Sequence, residues 1–197
     1  MAHEKTHKHF IQLARSSDTI REQAAEILFE ASKALFTAAW PDMKSACREV
    51  EECCDSDYIC IGLAEEEALL GWVGLRPLYE QITWELHPLM VAPSHQGRGI
   101  GSALLREIER IAGDRGILNI FLGTDDEGGL TSLSGTDLYR ADLFEEIKNI
   151  RNLGRHPYEF YQKNGYRIVG VVPDASGIGK PDILMCKRLG FRCSGST

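Results

Sequence analysis

A glycine-rich loop lies between an apolar segment and an amphipathic one, in a position where it could bind an anion. Its sequence, QGRGIG at residues 96–101, places three glycines within six residues. Glycine lets successive backbone N–H groups turn to the same side, and a helix that starts in the loop adds the positive end of its dipole. Such a site favours a pyrophosphate, while the alternative is a tight turn without a ligand.

Two other phosphate-binding motifs are absent from the sequence. The run GIGK at residues 177–180 lacks the first glycine of a P-loop and is followed by Pro181. The loop at residues 96–101 also lacks the spacing of a dinucleotide-binding fold, with its acidic residue on a following strand. If the glycine-rich loop binds phosphate, it therefore does so in another structural context.

A carboxylate and an imidazole precede the loop on one predicted strand. Glu85 could accept the proton of an attacking amine or hold an ammonium group, and the alternative is an ion pair on the face of the sheet. His87 lies two residues further along and therefore on the same face, where it could orient a water molecule or support a bend. Both residue types favour acid–base chemistry beside the anion site.

Pro88 predicts an irregularity in that strand. Proline has no N–H to donate to a neighbouring strand, so the strand should bulge or lie at an edge of the sheet. Backbone N–H groups after the bulge could then stabilise a developing oxyanion or pair with an extended ligand. These groups belong to Leu89, Met90 and Val91.

Hydrophobic spacing predicts the elements that position these residues. Helices are expected at residues 16–36, 43–54, 100–112, 138–150 and 157–164. Strands are expected at residues 58–64, 69–75, 82–91, 117–123, 166–172 and 183–187. Because strands and helices alternate irregularly, the pattern predicts a mixed α/β or α+β fold. We expect a single domain at residues 16–190, between a flexible N-terminal segment (residues 1–15) and a flexible C-terminal tail (residues 191–197).

Composition narrows the class of partner. The formal net charge is −7, which would repel a nucleic acid and attract a small polycation. Apolar stretches are too short to span a bilayer, so we expect no membrane partner. The six cysteines show no zinc-finger spacing, which favours free thiols in a reducing compartment and no bound metal. These features predict a cytoplasmic globular protein.

Two motifs resemble the GNAT superfamily of N-acetyltransferases. The pattern Q-x-x-G-x-G at Gln96, Gly99 and Gly101 resembles its acetyl-CoA motif, and residues 160–166, FYQKNGY, resemble its second signature. The resemblance implies an α+β fold with a mostly antiparallel central sheet, flanked by helices and carrying a bulged strand before the acetyl-CoA loop. It also implies acetyl-CoA as co-substrate. At the position of Gly154 the family usually has an asparagine that contacts the cofactor, and Asn152 is expected to replace it. The other implied cofactor contacts are Leu89, Met90, Val91, Gln96, Gly97, Arg98, Gly99, Ile100, Gly101 and Ser102.

A closer resemblance links the chain to the aminoglycoside 6'-N-acetyltransferases of the chromosomal enterococcal type. It rests mainly on WELHPL at residues 84–89 and LGTDD at residues 122–126. The implied activity is direct acetyl transfer to an aminoglycoside, which gives antibiotic resistance, and the implied assembly is a homodimer. The implied catalytic residues are Glu85, His87 and Tyr161, the last as proton donor to the departing thiolate. The implied substrate contacts are Trp40, Tyr79, Glu85, Asp125, Asp126 and Asp137.

Several of these residues have ordinary structural alternatives. Tyr161 and Trp40 could belong to the core, and the aspartates could cap turns. At the level of function, acidity would equally suit a polyamine, a peptide N-terminus or a lysine as acceptor. A non-catalytic module that binds coenzyme A remains the alternative from another class.

Overall fold

The computed structural model describes residues 7–35, 39–80 and 82–190. The helices are α1 (Asp18–Leu35), α2 (Met43–Cys53), α3 (Ile100–Asp114), α4 (Leu143–Lys148) and α5 (Tyr158–Lys163). The strands are β1 (Lys8–Gln12), β2 (Ile59–Glu65), β3 (Ala68–Tyr79), β4 (Thr83–Val91), β5 (Asn119–Asp125), β6 (Arg167–Val172) and β7 (Asp182–Arg188).

The seven strands form one sheet in the order β1-β2-β3-β4-β5-β7-β6. Every neighbouring pair is antiparallel except β4 and β5, which are parallel. Helix α3 covers one face, and helices α1 and α2 cover part of the other. This arrangement confirms the predicted α+β fold with its mostly antiparallel sheet.

Helix α3 forms where the apolar residues recur at helical spacing. Ile100, Leu104, Leu105 and Ile108 are all buried, and they pack on the strands below. Helix α2 begins at a capping box, in which the Asp42 carboxylate accepts the N–H of Ser45. The two helices pack on opposite faces of the sheet.

Strand β4 bulges at the predicted position. Val73 of β3 is in register with Leu89, whereas Leu75 is in register with Leu86. Two residues, His87 and Pro88, therefore stand opposite a single residue of β3, which is the count of a β-bulge.

Strands β4 and β5 separate shortly after they meet. Their parallel pairing covers only residues 83–85 of β4 and 119–121 of β5, although both strands continue beyond it. Beyond Glu85, β4 is paired with β3 alone. The sheet thus contains a fork, which opens from Glu85 towards the glycine-rich loop.

Two predictions about the elements were wrong. Lys8–Gln12, predicted as flexible, forms edge strand β1, which is paired with β2 and followed by the fully buried Leu13. This finding moves the start of the ordered domain from residue 16 to at least residue 8. The helix predicted at residues 138–150 is shorter, because the chain turns at residues 137–141 and Asp142 then caps a new helix at the N–H of Glu145.

Two further observations concern the helices and the cysteines of the described residues. No helix in this part of the chain has both the length and the apolar character that crossing a membrane requires. The five cysteines within it are free thiols. The predicted tail at residues 191–197 and residues 1–6 of the predicted N-terminal segment lie outside the described residues.

Candidate active site

The first turn of α3 has the geometry of an anion cradle. Gly99 precedes the helix with a φ of 79°, Gly97 has a φ of 73°, and no side chain caps the helix. The first hydrogen bond within the helix runs from Ala103 N to Gly99 O, so the backbone N–H groups that precede Ala103 have no acceptor inside the helix. These groups belong to Ile100, Gly101 and Ser102. The exposed Arg98 adds a positive charge at the same end.

Strand β4 presents alternate backbone groups to the fork. Ala92 N donates to Leu70 O at 2.9 Å, which fixes the hydrogen-bonding phase of the β3–β4 pair. By alternation, the backbone groups of Met90 face β3, whereas those of Leu89 and Val91 face the open side. Gln96 already uses this side, because its Nε2 donates to Val91 O at 3.3 Å. The prediction that Met90 contacts the cofactor is therefore wrong for its backbone, and its side chain is buried.

The two sequence signatures contact each other in the fold. A Cβ at Gly101 would lie 3.1 Å from the ring of Phe160, so α3 and α5 approach closely at this glycine. The next residue, Tyr161, is buried with its ring edge-on to Phe160 and Tyr166, at centroid distances of 5.2 and 5.7 Å. Burial raises the pKa of the Tyr161 phenol, so it remains protonated at neutral pH and can donate a hydrogen bond.

Glu85 lies where the fork opens, and it is paired with an arginine. Its Oε2 lies 2.6 Å from Nε of Arg76, the residue in register with it on β3. The ion pair on the sheet face, given above as the alternative role of Glu85, is thus present. The backbone of Glu85 lies where the fork opens, because Glu85 is the last residue of β4 that is paired with β5.

His87 is held by a carboxylate from helix α2. Its Nε2 lies 3.3 Å from Oε1 of Glu49, whose Oε2 accepts the indole N–H of Trp40 at 3.2 Å. Burial alone would raise the pKa of Glu49. The net effect is a lowered pKa, because the hydrogen bond and charge of His87, the N–H of Trp40 and the charge of Arg76 all stabilise the carboxylate. The bulged strand is therefore connected to α2 through a charged network.

This network corrects the role predicted for Trp40. Its side chain is only 9% exposed, and its ring lies 5.8 Å from that of His87, so it orients Glu49 and His87 instead of offering a free face to a sugar. Tyr79, by contrast, is 69% exposed at the end of β3 and can still offer its ring.

The predicted aspartates separate into three different environments. Asp126 is fully buried, and its carboxylate accepts hydrogen bonds from the N–H and hydroxyl of Thr131, the N–H of Leu130 and the hydroxyl of Ser134. The prediction that Asp126 binds substrate is therefore wrong, because its carboxylate holds the loop that follows β5. Asp125 is exposed at the end of β5, where its Oδ1 accepts a hydrogen bond from Ser176 at 2.9 Å.

Asp137 also has a local role. Its Oδ1 accepts the N–H of Tyr139 at 3.2 Å, and its Oδ2 lies 3.4 Å from Nε of Arg140. The carboxylate thus caps a surface turn and is already paired with a cation. The structure gives no contact that brings Asp137 to Glu85, so the prediction that it binds substrate lacks geometric support.

Asn152 has a structural role in the loop before α5. Its side-chain oxygen accepts the N–H of His156 at 2.8 Å, and its Nδ2 donates to His156 O at 2.9 Å. The imidazole of His156 is buried, with Nε2 3.1 Å from Asp125 O, and burial lowers its pKa. The predicted contact of Asn152 with a cofactor is not supported, because both ends of its amide already hold the loop.

Removing the Asp126 carboxylate should destabilise the fold. We expect Asp126→Ala to lower the free energy of unfolding by about 3 kcal/mol or more, because several buried donors would lose their acceptor. The matched control is the exposed neighbour, for which Asp125→Ala should cost less than about 1 kcal/mol. Chemical denaturation of both variants measures the difference, and equal stabilities would contradict the structural role of Asp126.

Sequence reasoning did not single out three groups that the structure brings to the fork. They are Glu49, Arg76 and Asp182. Asp182 begins β7 in register with Asp125, and burial, together with the charges of Asp125 and Glu85, raises its pKa to about 6. The sequence contained one signal for Asp182, because the run KPD at residues 180–182 also resembles the aminoglycoside 6'-N-acetyltransferases. Within the described residues, no group of three or more His, Cys, Asp or Glu side chains is arranged to hold a metal ion.

Comparisons with known proteins agree with the fold. The profile described as "Acetyltransferase (GNAT) family" matches residues 25–133. An aminoglycoside 6'-N-acetyltransferase complexed with coenzyme A has a TM-score of 0.84 and 37% identity, covering 93% of this chain and 98% of that one. The aminoglycoside 6'-N-acetyltransferase from Enterococcus faecium has a TM-score of 0.84 and 38% identity over the same shares.

Curated relatives match over a shorter region. N-alpha-acetyltransferase RimI of Mycobacterium tuberculosis is 32% identical over 89 residues, or 44% of this chain and 52% of that protein. A second curated relative, an uncharacterized protein of Mycobacterium leprae, is also matched. The chain spans about a quarter of the length of that protein and about half of the length of RimI. The similarity to solved structures is therefore the more complete of the two.

Proposed function

Because the chain belongs to the GNAT family of acetyltransferases, we propose that it transfers the acetyl group of acetyl-CoA to the 6'-amine of an aminoglycoside. The observation that carries this proposal is the fork between β4 and β5. It has an anion cradle at one end and carboxylates at the other. The near-complete coverage of two aminoglycoside 6'-N-acetyltransferase structures supports the same acceptor.

The residues along the fork suit acetyl-CoA as co-substrate. The free N–H groups at the start of α3, with Gly97, Gly99 and Arg98, would hold the pyrophosphate. The backbone of Val91 and Leu89 would pair with the pantetheine arm as a neighbouring strand does. The Leu89 N–H, which faces the open side of the fork, would stabilise the oxyanion that forms on the thioester during attack.

The other end of the fork suits a polycationic amine. Glu85 and Asp125 would hold ammonium groups of the acceptor, and Tyr79 would pack against a sugar ring. His87, fixed by Glu49, would position the acceptor or a water molecule. Tyr161 would donate a proton towards the departing thiolate of coenzyme A. Transfer in one complex needs no covalent intermediate on the protein, because amine and thioester meet in the same fork.

The biological setting follows from this activity. Acetylation removes a positive charge from the antibiotic, so the proposed role includes aminoglycoside resistance. We place the enzyme in the cytoplasm, where acetyl-CoA and the ribosomal target of these antibiotics are found. We also propose a homodimer, on the resemblance to the enterococcal enzymes.

A peptide N-terminus is the second candidate acceptor. The similarity to an N-alpha-acetyltransferase over 44% of the chain favours it. An assay of acetyl-CoA consumption with kanamycin, spermidine and a ribosomal-protein peptide as acceptors separates the candidates. We expect kanamycin to give the highest kcat/KM, whereas a higher value for the peptide would replace the aminoglycoside as the acceptor.

Binding of the acceptor should depend strongly on salt. Exposed carboxylates attract a polycation over several ångströms, and added salt screens this attraction. With acetyl-CoA saturating, we expect KM for the aminoglycoside to rise about tenfold between about 20 mM and about 300 mM salt, as the screening length falls. A monoamine acceptor is the control and should respond less. An unchanged KM for the polycation would contradict electrostatic recognition.

A further inference from the structure

Asp182 places a second carboxylate on the same face of the sheet as Glu85, on the far side of β5. It is in register with Asp125 at the end of β5. Glu85 is in register with Phe121 of the same strand. Phe121 and Asp125 are four positions apart on β5, so their side chains lie on the same face of the sheet. The side chains of their register partners, Glu85 and Asp182, lie on that face too. The fork is therefore flanked by a carboxylate from β4 and another from β7.

The glycine at position 123 makes room for this carboxylate. A Cβ there would lie 2.5 Å from Oδ2 and 2.9 Å from Oδ1 of Asp182. Any other residue would displace the carboxylate, because two oxygens occupy the space that a side chain needs. The Asp182 carboxylate thus lies over β5 and reaches back along it, towards the end at which Glu85 is found.

The two carboxylates differ in their partners. Oε2 of Glu85 is bound by Arg76 at 2.6 Å, whereas Oδ1 of Asp182 is buried without a hydrogen-bond partner among the described residues. Burial is the main cause that raises the pKa of Asp182 to about 6, and the charges of Asp125 and Glu85 add to it. The backbone N–H of Thr124 opposes this shift, and β6 contributes only an apolar residue, Val172, in register.

These differences suit separate tasks. A general base works best when its pKa is close to the operating pH and when its oxygen is free to take a proton. A carboxylate that is already paired with an arginine would lose that ion pair on protonation, so it serves better as a fixed negative charge. Asp182 has a pKa of about 6 and no ion pair with a cation among the described residues, so its carboxylate suits the first task, and the paired oxygen of Glu85 suits the second.

We propose that Asp182 accepts the proton that the acceptor amine must lose before it attacks, while Glu85, braced by Arg76, anchors a charged ammonium group of the same acceptor. This inference rests on the proposed function. The Asp182 carboxylate takes one proton from the ammonium, and the freed electron pair forms the C–N bond as the C–S bond breaks. Tyr161 donates its proton to the thiolate and takes up the second proton of the attacking nitrogen, and Asp182 returns its proton to solvent. Ammonium and thioester thus give amide, thiol and one released proton.

The pH dependence of Asp182→Asn tests the assignment. Asparagine nearly preserves the shape but cannot accept a proton, so we expect kcat for the aminoglycoside to fall by about 100- to 10,000-fold. In the unaltered enzyme, kcat should rise with pH through an apparent pKa of about 6, because only the ionised carboxylate is active. This acid limb should vanish in the variant, and residual activity should increase at high pH, where more amine is already neutral.

Asp125→Asn is the matched control, because it removes one negative charge from the same neighbourhood. We expect it to raise KM for the aminoglycoside and to keep the acid limb, shifted to lower pH since the charge of Asp125 contributes to the raised pKa of Asp182. Calorimetric titration with acetyl-CoA checks that both variants keep the cofactor site. If Asp182→Asn changed only KM and retained the acid limb, Asp182 would be a second anchor and the proposal would be overturned.

The unaltered enzyme gives a test that does not depend on folding of the variant. With acetyl-CoA and acceptor both saturating, a kcat that stays constant from about one unit below to one unit above the pKa of about 6 contradicts the proposal. Failure of the proposed function is distinguishable, because no aminoglycoside would then be acetylated at any pH. The same profile measured with the amine that is acetylated would still decide the role of Asp182.

Discussion

Replacing Glu85 with glutamine is expected to lower kcat/KM for the aminoglycoside by about 100-fold, which corresponds to about 2.7 kcal/mol. The loss has two sources. The variant lacks the carboxylate that holds an ammonium group, and it leaves the cation of Arg76 unpaired beside the acceptor site. Since a charge anchor acts on binding, most of the change should be in KM, and high pH should not restore activity.

The control is a carboxylate that is also paired with an arginine but lies outside the fork. Glu107 on α3 binds Arg110 at 2.7 Å, so Glu107→Gln also breaks a glutamate–arginine pair. We expect its steady-state constants to match those of the unaltered enzyme. A folded Glu85→Gln enzyme with unchanged kcat and KM would remove Glu85 from the site, leaving it as a residue of the sheet face.

Gly99→Asp should weaken the binding of acetyl-CoA by about 100-fold or more, because a carboxylate beside the pyrophosphate adds repulsion of a few kcal/mol at short range. An added Cβ at Gly99 meets no atom within 4 Å, so the substitution does not disturb packing. Gly101 is less suitable for this test, because its Cβ would press on Phe160. Calorimetric titration with acetyl-CoA measures the affinity directly.

Gly116 supplies a matched control at the other end of α3. Its φ of 80° is close to the 79° of Gly99, and an added Cβ there also meets no atom within 4 Å. Gly116→Asp therefore carries the same backbone strain without a carboxylate at the cradle, and it should retain affinity for acetyl-CoA. Equal losses in both variants would assign the effect to strain, and the loop would no longer be the cofactor cradle.

Local sequence predicted the features that depend on local chemistry. Pro88 could not complete a strand ladder, and the bulge is where its missing N–H required it. The glycines at residues 97 and 99 have the positive φ angles that a nest before a helix needs. The edge strand β1 escaped prediction, because five mostly exposed residues give no clear alternation of polar and apolar side chains.

Roles set by distant parts of the chain could not be predicted from the sequence. Asp125 and Asp126 are identical neighbours, yet only Asp126 is buried, since Thr131 and Ser134 return to it from the following loop. Trp40 is buried because Glu49 of α2 binds its indole. Asp182 meets Asp125 only through strand register, which no local pattern encodes.

The proposed function requires that an amine at the 6' position of an aminoglycoside receives the acetyl group. It is tested most directly with two aminoglycosides that differ only in bearing an amine or a hydroxyl at this position. Mass spectrometry and NMR of the products, after incubation with enzyme and acetyl-CoA, would locate each transferred group. We predict one acetyl group on the 6'-nitrogen of the first compound and no acetylation of the second. Acetylation of both at another amine, or of neither, would contradict the claim.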